Sequence, residues 1–216
     1  MSVDSAGTVF IVDDDAAVRD SLSLLLGMRG YKTRSFARGE HFLAAIDPAA
    51  CGCILLDLRM PSVDGIEVQA ALAARGIALP IIILTAHGDV ASARTTLKGG
   101  AFDFLEKPID DTLLMATIDA ALGRDASARI EGERSDALRR RVARLTPRER
   151  QVLGAVIDGR HNREIAADLG ISPRTVEVYK ARLMDKLQID RLPELIRLAL
   201  ELRLSDEPLI RDARKG

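Results

Sequence analysis

Aromatic residues and cysteines are scarce in this chain of 216 residues, which has no tryptophan, two tyrosines and two cysteines. With so few rings on which bases can stack, an aromatic-rich groove for single-stranded nucleic acid is not expected. Cys51 and Cys53 supply too few ligands for a structural zinc site, and disulfides are disfavoured in the cytosol. We therefore interpret both cysteines as structural.

Long apolar runs are also missing. No stretch reaches the roughly 18 consecutive apolar residues that predict a transmembrane helix. Residues 1–4 lack the cationic start of a secretory signal peptide, so we expect a cytoplasmic protein with no membrane partner. The hydrophobic content of 47% is ample for a core, and the length favours one large or two small domains.

The net charge of −1 conceals an uneven distribution. Acidic residues outnumber basic ones in residues 1–122, whereas basic residues outnumber acidic ones from residue 123 onwards. Such asymmetry suggests a metal or phosphate switch coupled to a nucleic-acid binder. A chance division of solvated charge is the alternative, and the motifs have to decide between them.

The first half alternates between short apolar segments typical of strands and segments with helical spacing. We predict strands at residues 8–12, 31–36, 54–56, 81–85 and 102–106. The predicted helices begin after Asp15, at Gly39, at Gly65, at Asp89 and at Asp110 or Asp111, the last ending near Leu122. This order predicts an α/β fold, a doubly wound five-stranded parallel sheet with helices on both faces.

Reactive side chains follow four of the predicted strands. Asp13 and Asp14 follow the first, Asp57 the third, Thr85 ends the fourth and Lys107 follows the fifth. The carboxyl ends of parallel strands share one edge of a sheet, where such folds bind ligands. Each residue alone could be a helix cap, a strand end or a surface charge. Their joint placement indicates one pocket suited to phosphoryl capture by a carboxylate.

Residues 124–144 are highly charged and predict a helical linker, which either docks one face on a neighbour or acts as a spacer. A second, all-α domain of four helices follows at residues 145–216. Its helices are predicted to begin after Thr146, at Asn162 or Arg163, after Ser172 and at Pro193. The short break at residues 170–173 has the spacing of a helix-turn-helix.

Several local motifs together resemble one family. The segments VDDD (12–15), DLRMP (57–61), LTAHG (84–88) and FLEKP (104–108) resemble the flavodoxin-like receiver domain of two-component response regulators. The segments LTPRE (145–149) and ISPRTVEV (171–178) resemble a LuxR-type helix-turn-helix. The order of the two resembles the NarL/FixJ class, which implies a receiver at 1–123, a linker at 124–144 and a LuxR-type DNA-binding domain at 145–216.

The resemblance implies that Asp57 is the phosphoacceptor for a sensor histidine kinase, assisted by Thr85 and Lys107. The Lys107–Pro108 bond is expected to be cis. Mg²⁺ is the implied cofactor, held by Asp14, Asp57 and the backbone carbonyl of Arg59, with Asp13 acting through water.

The switch implied by the resemblance connects Thr85 with Phe104, where plain core packing is the alternative for the phenyl ring. The family often has tyrosine at this position, and phenylalanine lacks the hydroxyl. The segment 89–98 and the fifth strand would then form the dimer of phosphorylated receivers. The phosphorylated protein is thus expected to dimerise.

The output is expected to be regulation of transcription through double-stranded promoter DNA, with RNA polymerase as a candidate partner. The third helix of the second domain would enter the major groove. Its candidate base readers are Glu177, Val178, Ala181 and Arg182. Its candidate phosphate contacts are Arg174, Thr175, Lys180 and Lys186.

Two alternatives from other classes stay open at this point. A phosphatase of the haloacid dehalogenase type also uses an aspartate nucleophile at a strand end, but needs a second acid where Arg59 stands. A degenerate receiver, controlled by a ligand or partner without phosphorylation, is the other. We expect no enzyme beyond a receiver that catalyses its own phosphorylation and dephosphorylation.

Overall fold

The computed structural model describes residues 7–85, 97–191, 193–195 and 197. The chain divides into two compact units between Glu131 and Gly132, within the segment predicted as a linker. The first unit contains a parallel sheet with helices on both faces, and the second unit is helical. Within the described residues, no helix is both long and apolar enough to cross a membrane.

The sheet of the first unit has five parallel strands in the order β2-β1-β3-β4-β5. The strands are β1 Thr8–Val12, β2 Lys32–Phe36, β3 Gly52–Asp57, β4 Ile81–Thr85 and β5 Asp103–Glu106. The predicted doubly wound fold is confirmed, and β2 lies at an edge as its polar sequence requires.

Both faces of the sheet are buried at its three central strands, because alternate residues of β1, β3 and β4 enter opposite cores. Phe10 and Val12 of β1 pack in the core that includes Phe42, whereas Val9 and Ile11 pack in the core on the other face. Burial on both sides explains why the strands read as continuous apolar runs rather than alternating ones.

The remaining elements up to Ala143 are the helices α1 Ala16–Met28, α2 Gly39–Ala45, α3 Gly65–Ala74 and α4 Asp111–Ala143, the last of which continues past the end of the first unit at Glu131. Side chains cap α1 and α3, whereas Arg38 before α2 makes no side-chain cap. The Asp15 carboxylate accepts a hydrogen bond from the Ala17 N–H, and Asp64 forms a reciprocal capping box with Glu67. The helix predicted at 89–98 lies outside the described residues except for its last two positions, which are helical.

Helix α4 differs from the prediction, which ended it near Leu122. The structure continues the helix through the predicted linker to Ala143. Gly123 and Gly132 do not interrupt it, since an interior glycine costs only about 1 kcal/mol and the flanking alanine, arginine and glutamate residues favour helix. Only proline or a stronger stop signal would have ended it, and neither is present.

Asp125 attaches this extension of α4 to the amino edge of the sheet. Its carboxylate accepts a hydrogen bond from the Gly52 N–H at 3.0 Å and pairs with Arg129 at 2.7 Å. Gly52 has φ +140°, and a Cβ there would lie 1.8 Å from the Thr8 carbonyl oxygen, so no side chain fits. The carboxylate therefore satisfies a buried N–H at the start of β3.

The second unit is built from α5 Pro147–Ile157, α6 Asn162–Leu169 and α7 Pro173–Leu187. The predicted caps at Thr146 and Ser172 are confirmed, and Gly170 ends α6 at φ 65°. Leu195, in a helical segment at 193–195, is buried in the core together with Val142 at the end of α4. The rest of the predicted fourth helix lies almost wholly outside the described residues.

We predict that Asp125→Ala destabilises the first unit by about 1–3 kcal/mol, because it leaves the Gly52 N–H buried without an acceptor. Asp125→Asn retains an acceptor oxygen and should cost less. Urea unfolding of the full-length chain, followed by circular dichroism, measures the loss.

Asp136→Ala is the matched control for this prediction, because it removes an exposed carboxylate from the same helix. An exposed ion pair is worth about 0–1 kcal/mol, so this variant should unfold almost as the unsubstituted chain does. Equal losses for the Asp125 and Asp136 variants would contradict the anchoring role of Asp125.

Candidate functional site

The two central acids meet because β1 and β3 are neighbours. Val12 pairs with Leu56, so Asp13 and Asp57 leave adjacent strands side by side at the carboxyl edge. In this strand order, β1 and β3 flank the point where the winding of the sheet reverses, which is where open α/β sheets bind ligands. The two acids that the sequence places at the strand ends are therefore neighbours at this point of the sheet.

Lys107 joins the two carboxylates. It follows β5, and its Nζ lies 2.7 Å from Asp13 Oδ2 and 2.6 Å from Asp57 Oδ1. The side chain of Asp13 is 0% exposed and that of Asp57 8% exposed, so the ammonium supplies the counter-charge that water does not. The Lys107–Pro108 bond is cis, as expected.

The ionisation of Asp57 reflects two opposing effects. Burial raises the pKa of its carboxyl above the ordinary value, although the hydrogen bond and charge of Lys107 lower it. Burial also lowers the pKa of Lys107, but the hydrogen bonds to Asp13 and Asp57 outweigh burial and raise it. The lysine is therefore held in its charged form beside the acids.

The backbone after β3 fixes the other side of Asp57. Its Oδ2 accepts a hydrogen bond from the Arg59 N–H at 2.9 Å, and the Gly65 N–H donates to the Leu58 carbonyl at 3.0 Å. A Cβ on Gly65 would lie 2.7 Å from the Asp57 carbonyl oxygen. Glycine is thus required where α3 begins, because the helix passes close to the acid-bearing strand.

Arg19 is a residue that sequence reasoning missed. Its Nη1 donates to the carbonyl oxygens of Asp13 and Asp14, at 2.8 and 2.9 Å, and so fixes the backbone of the acidic loop. The available signal was its place one turn into the helix that Asp15 caps. That position brings a long cationic side chain back towards the residues before the cap.

Asp14 differs from the other two acids in its exposure. It is exposed and, with Arg59, lines a cavity of about 540 Å³ beside β3. Within the part of the chain that the structure describes, no three His, Cys, Asp or Glu side chains are gathered for a metal ion. Lys107 contacts two of the three acids instead. The donors are nevertheless all oxygens, the set that Mg²⁺ prefers, and an open cavity leaves room for its waters.

Thr85 and Phe104 occupy the two strands beyond Asp57. Thr85 is buried at the end of β4, and its carbonyl accepts a hydrogen bond from the Lys107 N–H at 2.8 Å. Phe104 of β5 pairs with Ile83 but is 40% exposed, so the core-packing alternative for its ring is wrong. The phenyl ring faces outward in this structure.

The predicted DNA-binding residues lie on α7, which is held at Ser172 by a side-chain cap. Helical spacing gives the exposed ones a common face. The exposed members of the predicted set are Arg174, Glu177, Val178, Ala181 and Arg182.

The remaining members of that set are half-buried and have other surroundings. The Thr175 hydroxyl lies 2.8 Å from the Ser172 hydroxyl in the cap. Burial lowers the pKa of Lys180 below its ordinary value, although the nearby negative charge of Glu177 partly opposes this effect. Lys186 forms an ion pair with Glu149 at 2.7 Å, so the ammonium predicted to contact phosphate is paired with a carboxylate of this chain.

Comparison with known families identifies the class. Residues 9–119 match the response regulator receiver domain, and residues 143–199 match the bacterial regulatory proteins of the luxR family. The chain belongs to the two-component response regulators with a receiver and a LuxR-type DNA-binding domain, which are transcriptional regulators. A dehalogenase-type phosphatase has no support from these matches.

Individual proteins are similar to this chain over most of its length. The chain is 46% identical to the transcriptional regulatory protein FixJ of Azorhizobium caulinodans, over 89% of this chain and 91% of that protein. It is similar to the solved structure of the response regulator StyR, with a TM-score of 0.80 and 39% identity over 90% of this chain and 98% of that chain. It is also similar to the crystal structure of full-length FixJ from B. japonicum, with a TM-score of 0.58 and 43% identity over 92% of this chain and 98% of that chain. The resemblance to FixJ is confirmed.

We predict that Lys107→Met raises the pKa of Asp57 further, because the variant removes the hydrogen bond and the positive charge that lower it. The carboxyl carbon of Asp57 can be titrated by NMR in ¹³C-labelled protein with a chelator present. Lys32→Met, which removes an exposed lysine, is the control and should leave the pKa of Asp57 unchanged. An unchanged pKa in the Lys107 variant would contradict the electrostatic role of this lysine.

A second prediction concerns Glu149. Burial raises the pKa of its carboxyl, but hydrogen bonds from Lys186 and Thr146 outweigh burial and lower it below the ordinary 4.5. An acid whose folded pKa is lowered contributes stability above its unfolded pKa and loses it as the pH falls through the folded value. Glu149→Gln should therefore destabilise the chain at pH 7 by about 1–3 kcal/mol.

The pH dependence distinguishes this effect from a simple packing defect. The stability difference between the unsubstituted chain and Glu149→Gln should shrink as the pH falls below about 4.5, where the carboxylate takes up a proton. Urea unfolding at several pH values measures it. A difference that stays constant from pH 7 to pH 3 would be inconsistent with the ion pair as its cause.

Proposed function

We propose that Asp57 accepts a phosphoryl group from a phosphohistidine of a sensor histidine kinase, and that this controls binding of promoter DNA by α7. The observation that carries the proposal is the Lys107 ammonium between the carboxylates of Asp13 and Asp57, at 2.7 and 2.6 Å. A buried nucleophile beside a fixed cation suits the transfer of an anionic group.

The transfer needs alignment and charge neutralisation. A carboxylate oxygen of Asp57 attacks phosphorus as the phosphorus–nitrogen bond to the histidine breaks, and the bonding electron pair stays with the imidazole nitrogen. The product is an acyl phosphate. Lys107 is positioned to bind a phosphoryl oxygen, since its Nζ already contacts Asp57. The Arg59 N–H keeps the carboxylate oriented during the attack.

Mg²⁺ fits the oxygen donors of this pocket. Asp14, Asp57 and the backbone carbonyl of Arg59 would hold it, with Asp13 acting through water. It would supply positive charge beside the phosphoryl oxygens. Asp14 is exposed and lines the open cavity, so its carboxylate is accessible to an ion from solvent.

The acyl phosphate acts on Thr85 and Phe104. A phosphoryl group adds about −1.5 to −2 charges and three acceptor oxygens. The Thr85 hydroxyl donates to one of these oxygens, and its movement leaves space into which the Phe104 ring turns. The ring is 40% exposed here, which corresponds to the outward state of this two-state equilibrium. Its burial changes the surface of β5 on which receivers pair.

Paired receivers bring two DNA-binding domains to one symmetric site. Each α7 enters a major groove, and the two helices read half-sites about one turn of DNA apart. Glu177, Val178, Ala181 and Arg182 contact bases, whereas Arg174, Thr175 and Lys180 lie towards the phosphates. RNA polymerase is a further partner of a regulator bound at a promoter.

We predict that beryllofluoride with Mg²⁺, a mimic of the acyl phosphate, converts the full-length chain from monomer to dimer. Light scattering measures the mass with and without the mimic. Asp57→Asn should remain monomeric under both conditions, because an amide cannot form the complex.

A mass that does not change in the unsubstituted chain would contradict dimerisation driven by phosphorylation. Asp47→Asn is the matched control, since it makes the same change at an exposed aspartate and should dimerise normally. A shift that persists in Asp57→Asn would show that the mimic acts elsewhere, which contradicts the assignment of Asp57.

A further inference from the structure

The C-terminal end of α7 is held by contacts that DNA binding does not by itself require. Helix α7 ends at Leu187, and Gln188 follows in the left-handed region at φ 57°. The last four carbonyls of a helix have no partner within it. The Leu187 carbonyl accepts a hydrogen bond from Nη1 of Arg141 at 3.3 Å. This places a positive charge at the negative end of the helix dipole.

Glu149 holds the same end from another helix. Its Oε2 accepts hydrogen bonds from Nζ of Lys186 at 2.7 Å and from the Thr146 N–H at 2.8 Å. The side chain of Glu149 is only 4% exposed, whereas that of Lys186 is 35% exposed. One buried carboxylate oxygen thus links the start of α5 to the last turn of α7.

The position of Lys186 makes this link relevant to DNA. Lys186 lies four residues after Arg182, one helical turn along the same side of α7. A cation at that position would be expected to contact phosphate, as the sequence suggested. The structure instead turns its ammonium towards Glu149. The ion pair with Glu149 therefore holds α7, the helix that carries the candidate base readers.

We propose that Glu149, through Lys186, and Arg141 are positioning residues that set the angle at which α7 presents its base readers to DNA. The inference rests on the proposed role of α7 as the recognition helix. Arg141 belongs to the last turns of α4, in the segment that the sequence predicted as a linker. Part of that segment is therefore a component of the DNA-reading apparatus.

A positioning residue and a phosphate contact have different signatures in DNA binding. Each phosphate contact adds about 0.9 to the slope of the logarithm of affinity against the logarithm of salt concentration, for any sequence. A misplaced helix loses base contacts instead, so the preference for the selected sequence falls while the salt slope is kept. The two effects can be measured in one titration series.

The experiment uses the full-length chain with beryllofluoride and Mg²⁺, a duplex selected from a random pool by the unsubstituted chain, and a random-sequence duplex. Lys186→Met and Arg141→Met are each expected to lower the ratio of the two affinities about tenfold, with the salt slope on random DNA unchanged. Lys186→Arg keeps the ion pair and should restore the ratio. Arg140→Met removes an exposed charge beside Arg141 and is the control.

Thermal melting confirms that each variant is folded at the temperature of measurement. If Arg141→Met is not folded, the Lys186 variants alone test the proposal. A salt slope that falls by about 0.9 in Lys186→Met, with equal losses on both duplexes, would overturn the proposal by making this lysine a phosphate contact. An unchanged ratio in Lys186→Met would overturn it as well. If the unsubstituted chain selects no duplex, the proposed function itself fails.

Discussion

The shared ammonium of Lys107 is the interaction on which the rest of the first unit depends. Parallel strands in this order bring Asp13 and Asp57 together where little water reaches, and two buried carboxylates repel each other. The cation follows the edge strand β5, and β4 lies between β5 and β3. The acid pair therefore has its counter-charge only when β1, β3, β4 and β5 are assembled, which ties the chemistry of the pocket to completion of the fold.

Much of the fold could be predicted because its signals are local. Asp15, Asp64, Thr146 and Ser172 each cap a helix through a bond that spans two or three residues. The pocket needed one further rule, that the carboxyl ends of parallel strands meet at one edge. Residues at those ends could be assigned to one site without knowledge of any distance.

The parts that were missed depend on partners distant in sequence or on small energy differences. Glu149 and Lys186 lie 37 residues apart, and no periodic pattern joins a capping residue to a lysine on another helix. Helix α4 continues through Gly123 and Gly132 because each glycine costs only about 1 kcal/mol, less than the gain from neighbouring helical residues and from the contact of Asp125 with the sheet. The helix start and stop signals in the sequence do not show whether the cost of the glycines or the gain from these contacts is larger.

The same contacts change how the basic charge of the second half is interpreted. An excess of lysine and arginine suggested nucleic-acid binding, but a cation counts towards phosphate only if it is not already paired. Lys186 pairs with Glu149, and Arg141 binds a helix carbonyl. Under the proposed role of α7, fewer cations are therefore available to phosphate than the sequence indicates, and part of the basic excess holds the recognition helix in place. Selectivity would then depend on cations that need never contact the DNA.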